Sequence, residues 1–116
     1  MDEARILLST YYDKMTISRF QIVKDTVGEA KMEPVIIYKD VPCALSMQTK
    51  SEPEDTEIGG ETKIEYVIFA MPGISIKDKD KIVVHTGAGE VFSLRAGRSF
   101  AYPSHIEAVA YIESVA

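Results

Sequence analysis

Hydrophobic and polar residues alternate along most of the chain from Lys14 onward, which is the period-two pattern of β-strands with one buried face. The alternation is clearest in CALSMQT (43–49), where Cys43 and every second residue after it share one side. Turn signals built on Gly and Pro recur roughly every ten residues. This pattern predicts seven strands, at 14–23, 31–41, 43–49, 62–72, 81–86, 91–96 and 105–115.

Residues 2–12 have a different period, with Ala4, Leu8 and Tyr11 at helical spacing and acidic residues at the start. A helix of about three turns is marginal alone and must pack against something. It could cap one end of the fold that the strands form, or it could be an arm that docks on a partner subunit. The apolar and aromatic residues of such an arm are Leu7, Leu8, Tyr11 and Tyr12.

These elements predict a mainly β fold: a small antiparallel β-barrel or sandwich of about six or seven strands, with a short N-terminal helix. The length of 116 residues predicts a single domain. Within it, residues 1–13 are expected to form the helix or arm, and residues 50–62 a flexible acidic loop. The turns between the other strands are short, and ISIKDKDK (74–81) reads as a solvated turn because its end alternates in charge.

The net charge of −5 is concentrated in that one loop. Residues 52–61 hold five of the 18 acidic residues and no basic residue, so the remaining 13 acidic and 13 basic residues cancel. A general duplex-DNA binder would show a net basic face instead. The residues of interest in the loop are Glu52, Glu54, Asp55, Glu57, Ile58, Gly59, Gly60 and Glu61.

The acidic loop does not have the spacing of a known cation site. An EF-hand needs Asp or Asn at fixed odd positions and a central Gly, whereas Pro53 interrupts this run and Gly59-Gly60 comes late. A solvated loop and a surface presented to a partner or a channel both remain open. Ile58 is its only apolar residue and would be the natural contact between neighbouring copies.

No catalytic, metal or cofactor signature is present in the sequence. His85 and His105 are isolated, whereas a metal site needs several converging ligands. Cys43 lies on the apolar side of its strand and is expected to be a packing residue, without activation as a nucleophile. Gly87 and Gly89 lie between two strands and are expected to form a hairpin turn with positive φ angles, not a phosphate loop. We therefore expect no enzymatic activity, no metal and no cofactor.

The strongest nucleic-acid candidate is RAGRSFAYPSH (95–105), which interleaves cationic and aromatic side chains. Such residues on a small barrel would suit an OB-like binder of single strands. Those binders usually have a broader basic groove, so the alternative is a crossing loop whose aromatic residues close the barrel end. The candidate contacts for nucleic acid or a partner are Arg95, Arg98, Phe100 and Tyr102.

Four stretches, in order along nearly the whole chain, resemble one protein family. They are ARILLSTYYDKMTISRF (4–20), VIIYKDVPCALSMQ (35–48), PGISIKDKDKIVV (72–84) and YPSHIEAVAYIES (102–114). Together they are similar to the small head–tail connector proteins of tailed bacteriophages, the head-closure, stopper or head-completion group. One departure is that many relatives have Gly-Asp where this chain has Lys79-Asp80, which bears on the geometry of that turn.

The resemblance implies a non-enzymatic minor capsid protein that forms a homo-oligomeric ring, typically twelve-fold, under the portal or its adaptor. The free protein could be a monomer. The ring closes the DNA channel and gives a platform for tail proteins, and double-stranded DNA is only a passing cargo. The implied location is the head–tail joint of a virion or prophage particle, after assembly in the host cytoplasm. The loop at 51–61 matches the family loop that reaches into the channel.

Two other readings stay open beside the resemblance. One is an OB-like soluble module for single-stranded nucleic acid, and the other is a small adaptor or tail-terminator protein. The longest apolar stretch, YVIFAMPGI (66–74), is far too short for a membrane helix, so no membrane contact is expected. The N-terminus lacks a basic segment and predicts no secretory signal.

Overall fold

The computed structural model describes residues 11–51 and 62–115, and the side chains of 11–48 and 64–113 among them. Within this part of the chain, six strands close into one antiparallel barrel with the order β1-β2-β3-β6-β5-β4. The predicted mainly β class and the barrel architecture are confirmed. The strands are β1 (Asp13–Lys24), β2 (Ala30–Ser51), β3 (Thr62–Ala70), β4 (Lys81–His85), β5 (Val91–Ala101) and β6 (Ile106–Val115).

Alternate residues of every strand fill the barrel, as the period-two pattern requires. Cys43 is fully buried, which confirms its predicted packing role. The small residues of β6 lie opposite the neighbouring strands, with Ala110 paired to Ala96 of β5. The core is formed by Met15, Ile17, Cys43, Tyr66, Ile68, Ala70, Ile76, Ile82, Val84, Phe92, Leu94, Ala96, Ile106, Ala108 and Ala110.

The prediction of two separate strands on either side of Val41-Pro42 is wrong, because both belong to the 22-residue strand β2. Pro42 lies opposite Lys14 of β1, and pairing with β3 starts only at Cys43. One edge of β2 is therefore free at Pro42, and a missing N–H is tolerated at such a position. The backbone is irregular just before this position, where Asp40 has a φ of 51°.

Two turn regions also differ from the prediction. Residues 97–101 are not an irregular crossing, because β5 continues through them after a bulge between Ala96 and Ser99. The stretch 74–81 is only partly a solvated turn, since Ile76 and Asp80 within it are buried. The predicted β4–β5 hairpin is confirmed, although only Gly89 takes a positive φ, of 93°.

The chain alternates between two ends of the barrel, which we call the rim and the base. At the rim lie the start of β1, the β4–β5 turn at 86–90 and the strand ends that flank the acidic loop. At the base lie the segment 71–80 and the turn 102–105. Each end also carries a two-stranded ribbon that extends beyond the barrel, formed by β2 and β3 at the rim and by β1 and β2 at the base.

The predicted N-terminal helix lies mostly outside the described residues. Tyr11 and Tyr12 have no helical structure, and Asp13, which was expected within the helix or arm, belongs to β1. The acidic residues 52–61 also lie outside the described residues. Among those described, no helix is long and apolar enough to cross a membrane.

Candidate functional site

Asp13 joins three elements at the rim. Its Oδ2 accepts a hydrogen bond from the backbone N–H of Leu45 in β2, at 3.0 Å. Its Oδ1 accepts another from the N–H of Gly87 in the β4–β5 turn, also at 3.0 Å. A side chain on Gly87 would approach the carbonyl oxygen of Tyr12 to 3.2 Å, so a glycine suits this tight contact. The start of β1 is thereby held against its two neighbours.

A groove of about 600 Å³ opens beside this junction, and we call it the rim groove. It lies where the interior face of β2 continues past Cys43, the last residue of β2 that pairs with β1. Met47 belongs to that face and is 58% exposed. The groove is lined by Tyr12, Asp13, Leu45, Met47, Thr86, Gly87, Ala88, Glu90 and Phe92.

The described part of the proposed docking arm is at this groove. Tyr12 is 76% exposed and lines it. Tyr11 is more buried, and burial, followed by the electrostatic influence of the nearby Cys43, raises the pKa of its phenol above 10.0. Leu7 and Leu8 lie outside the described residues, so their predicted contact with a partner stays a prediction.

The thiol of Cys43 is expected to be unreactive at neutral pH. Burial, and then the negative charge of Asp13, raises its pKa to about 12. The thiolate is the reactive form of cysteine, so at neutral pH this side chain is a neutral packing group.

The acidic loop is anchored at the rim by paired strands. β3 pairs with β6 only from Tyr66 onward, but its pairing with β2 continues to Ser51 and Thr62. The four extra residues of β3 carry the loop ends about 13 Å beyond the closed barrel. The loop residues, from Glu52 to Glu61, lie outside the described residues, and their role at a channel stays a prediction.

One of the two cationic nucleic-acid candidates is already partnered within the barrel. Arg95 donates a hydrogen bond to Glu113 at 2.9 Å and another to the Lys79 carbonyl oxygen at 3.1 Å, so its charge is partnered. Arg98 is exposed on the β5 bulge and lines a groove with Lys77 and Tyr111.

The two aromatic candidates lie at the base. Tyr102 stacks on His105 with ring centroids 5.0 Å apart, and Phe100 lines a shallow groove with Ile74 and Ile106. His105 is not isolated as the sequence suggested: it contacts Glu107 at 2.9 Å and Ser104 at 2.8 Å. Glu107 lies two residues further along the chain, a spacing that the sequence does show.

The main feature that sequence reasoning missed is a partly buried ion pair at the base. Arg19 of β1 donates two hydrogen bonds of 2.7 Å to the two carboxylate oxygens of Asp80. Asp80 is 1% exposed and also accepts the N–H of Lys77 at 2.9 Å. The hydrogen bond to Asp80 raises the pKa of Arg19, so the guanidinium of this bidentate pair keeps its charge. The pair is 61 residues apart in sequence, and no local spacing predicts it.

The polar side chains of the described residues mainly make structural contacts. They contain no group of three or more His, Cys, Asp or Glu side chains that could hold a metal ion. Asp13 and Asp80 use their carboxylate oxygens to join elements of the barrel, whereas the polar contacts of His105 are to its near neighbours Ser104 and Glu107.

Comparison with known proteins gives one likeness of fold. No protein-family model matches the sequence, and no curated protein matches it. Among solved structures, the chain is similar to the protein xkdH of the phage-like element PBSX from Bacillus subtilis, with a TM-score of 0.54 at 14% sequence identity. The likeness covers 86% of this chain and 92% of that protein. The two proteins therefore share a fold over almost their whole lengths.

Proposed function

We propose that this protein is a structural component of a phage or prophage head–tail connector. In this proposal it forms a ring under the portal or adaptor, closes the DNA channel and provides a platform for tail proteins. The observation that carries the proposal is the fold shared with a protein of a phage-like element over 86% of this chain. No catalytic role is part of the proposal.

The rim ribbon supports a role for the acidic loop at a channel. It starts the loop about 13 Å beyond the closed barrel, which gives the loop reach away from the body of the subunit. Five acidic residues at 52–61 repel phosphate, so DNA would pass copies of the loop without adhering to them. Closure would then come from packing between loops, with Ile58 as the apolar contact.

The test is deletion of residues 52–60 in the phage or prophage that encodes this chain. We expect particles that package DNA but lose it before tail attachment, which is measured as the ratio of filled to empty heads. A matched variant keeps the length and removes four charges: Glu52→Gln, Glu54→Gln, Asp55→Asn and Glu57→Gln. This variant should still retain DNA, because closure depends on packing. Filled, stable heads with the deletion would contradict the proposal.

Binding of single-stranded nucleic acid is a second candidate, favoured by the exposure of Arg98, Phe100 and Tyr102. Two observations weigh against it: Arg95 is paired with Glu113, and the barrel has six strands where an OB-fold has five. On the connector proposal, the protein shows no affinity for a poly-dT oligonucleotide at physiological salt. Binding that Arg98→Ala abolishes, and that loop deletion leaves unchanged, would favour the second candidate.

A further inference from the structure

The base of the molecule carries an apolar surface that nothing in the chain covers within the described residues. β1 pairs with β4 only as far as Ser18, and β2 pairs with β3 only from Cys43. Residues 19–35 therefore form a two-stranded ribbon with both outer edges unpaired. Such a ribbon is marginally stable when it stands alone in water.

One face of this base ribbon is apolar and exposed. Residues directly opposite each other in an antiparallel pair share a face, and the pairs are Phe20 with Pro34 and Ile22 with Met32. Ile36, opposite Ser18, continues the same face. Ile22 is 70% exposed, and the others are also open to solvent. We call this face the ribbon stripe, formed by Phe20, Ile22, Met32, Pro34 and Ile36. A contiguous exposed apolar patch of this kind marks a docking site.

The rim groove is an apolar surface at the opposite end of the same molecule. β1 begins beside the groove at Asp13 and ends beyond the stripe at Lys24, a span of about 36 Å. Stripe and groove of one chain therefore cannot meet. Two copies can meet, and a contact between different surfaces on like subunits generates a ring when its rotation closes.

The charges at the two surfaces are complementary. Lys24 follows Ile22 on the stripe face of β1 and is exposed. Glu90 lines the rim groove and is also exposed, and only its backbone is used in the β4–β5 turn. A stripe laid in the groove with its tip toward the β4–β5 turn brings opposite charges together.

We infer that the ribbon stripe of one copy of this chain docks in the rim groove of the next copy, with Lys24 beside Glu90 of the neighbour. This inference rests on the proposed connector ring and names the surfaces that would build it. It also explains why apolar residues are exposed at both ends of a barrel whose own core is complete.

Disulfide trapping with purified protein tests the contact. In the double variant Ile22→Cys, Met47→Cys, a head-to-tail contact gives a ladder of covalent dimers, trimers and longer species under mild oxidation. The buried Cys43 does not interfere. Gln21 is exposed on the opposite face of the ribbon, so Gln21→Cys, Met47→Cys is the matched control and should give no ladder.

Charge reversal tests the orientation. Glu90→Lys in the trapping variant should lower the yield of the ladder roughly two- to fivefold, and Lys24→Glu in the same chain should restore it. A dimer formed by Ile22→Cys alone, with no longer species, would mean that two stripes pair with each other and would overturn the inference. The absence of any ladder would overturn it too, since a disulfide traps even brief contacts.

The outcome separates this inference from the proposed function. Suppose that the cysteine variant gives a ladder, but that phage with the loop deletion keeps its heads filled. This result would support the contact between copies and contradict the channel role of the loop. Leaking heads without a ladder, in contrast, would support the channel role and remove the contact.

Discussion

Lys79 occupies a left-handed backbone conformation, with a φ of 73°, that lysine rarely adopts. The conformation is held from both sides: its N–H donates to the carbonyl of Ala96 at 2.8 Å, and its carbonyl accepts a hydrogen bond from Arg95. This geometry makes position 79 one where glycine would be favoured over lysine. The turn needs a positive φ, and glycine adopts it without strain.

Replacing Lys79 by Gly should therefore raise the free energy of unfolding by about 0.5–1 kcal/mol, because relief of the left-handed strain exceeds the added flexibility of the unfolded chain. Lys79→Ala keeps the Cβ and should change stability little. Urea denaturation measures both variants, and a Gly variant less stable than the Ala variant would contradict this interpretation.

Cys43 predicts a loss of stability at alkaline pH. Its pKa is about 12 in the folded state, against a reference value of 9.0. Below pH 9 both states hold the proton, so pH has no effect through this group. Between about pH 9 and 12 only the unfolded state releases it, so stability falls by up to about 1.4 kcal/mol per pH unit.

The measurement is denaturant unfolding at pH 8, 9 and 10, compared with Cys43→Ala. The Ala variant should be less stable overall because of the cavity, but its stability should depend less on pH. Equal dependence of stability on pH in the two proteins would show that the ionisation of Cys43 does not change on unfolding. Its pKa would then not be raised in the folded state. Tyr11, whose pKa is also raised, adds to the slope in both proteins.

At the scale of elements, the Arg19–Asp80 pair holds the segment 71–80 against β1 at the foot of the base ribbon. Asp80→Ala should lower the free energy of unfolding by about 3 kcal/mol, because it removes the carboxylate that pairs with Arg19 and accepts the Lys77 N–H. Asp78 is exposed and two residues away, so Asp78→Ala is the matched control and should change stability by less than about 0.5 kcal/mol. Similar values for the two variants would mean that the pair contributes little.

The elements themselves could largely be predicted from the sequence. Period-two alternation identified the strands and the buried Cys43, and Gly-rich turns identified the β4–β5 hairpin. The misplaced boundaries share a cause: Pro42 and Gly97 are breakers in isolation. In the barrel, Pro42 lies at a free strand edge and Gly97 in a bulge, where the ring of Tyr111 lies within 2.8 Å of the position of a Cβ.

The candidate site was less predictable, because its contacts join residues far apart in sequence. Asp13 reaches Gly87, 74 residues away, and Arg19 reaches Asp80, 61 residues away. No periodicity encodes such pairs; they follow from which strands become neighbours when the barrel closes. In the same way, the sequence gives no sign that Arg95 is paired. The pairing of β5 with β6 places Glu113 within 2.9 Å of it.

At the scale of the whole molecule, the rim and the base are separate regions joined by the closed core. The acidic loop leaves from the rim, whereas the Arg19–Asp80 pair lies at the base. The strand ends that flank the loop and the Arg19–Asp80 pair lie at opposite ends of the barrel, and changes that are far apart are usually additive in free energy.

Deletion of residues 52–60 should therefore leave the thermal midpoint of the free protein nearly unchanged. When the deletion is combined with Asp80→Ala, the change in the free energy of unfolding should equal the sum of the two separate changes to within about 0.5 kcal/mol. Calorimetry of the two single variants and the combined variant measures this. A larger departure from additivity would show that the loop also stabilises the barrel.

The Asp13 junction has a mechanical consequence. β1 is paired with β2 and β4 on both sides at its start, and the carboxylate of Asp13 adds a bond to each flank. A pull along the strand axis at this point is shared among all of these bonds at once. The strand must slide as a whole before any one bond is released. A force applied from the N-terminal side of β1 therefore loads its hydrogen bonds in parallel, which is the shear geometry.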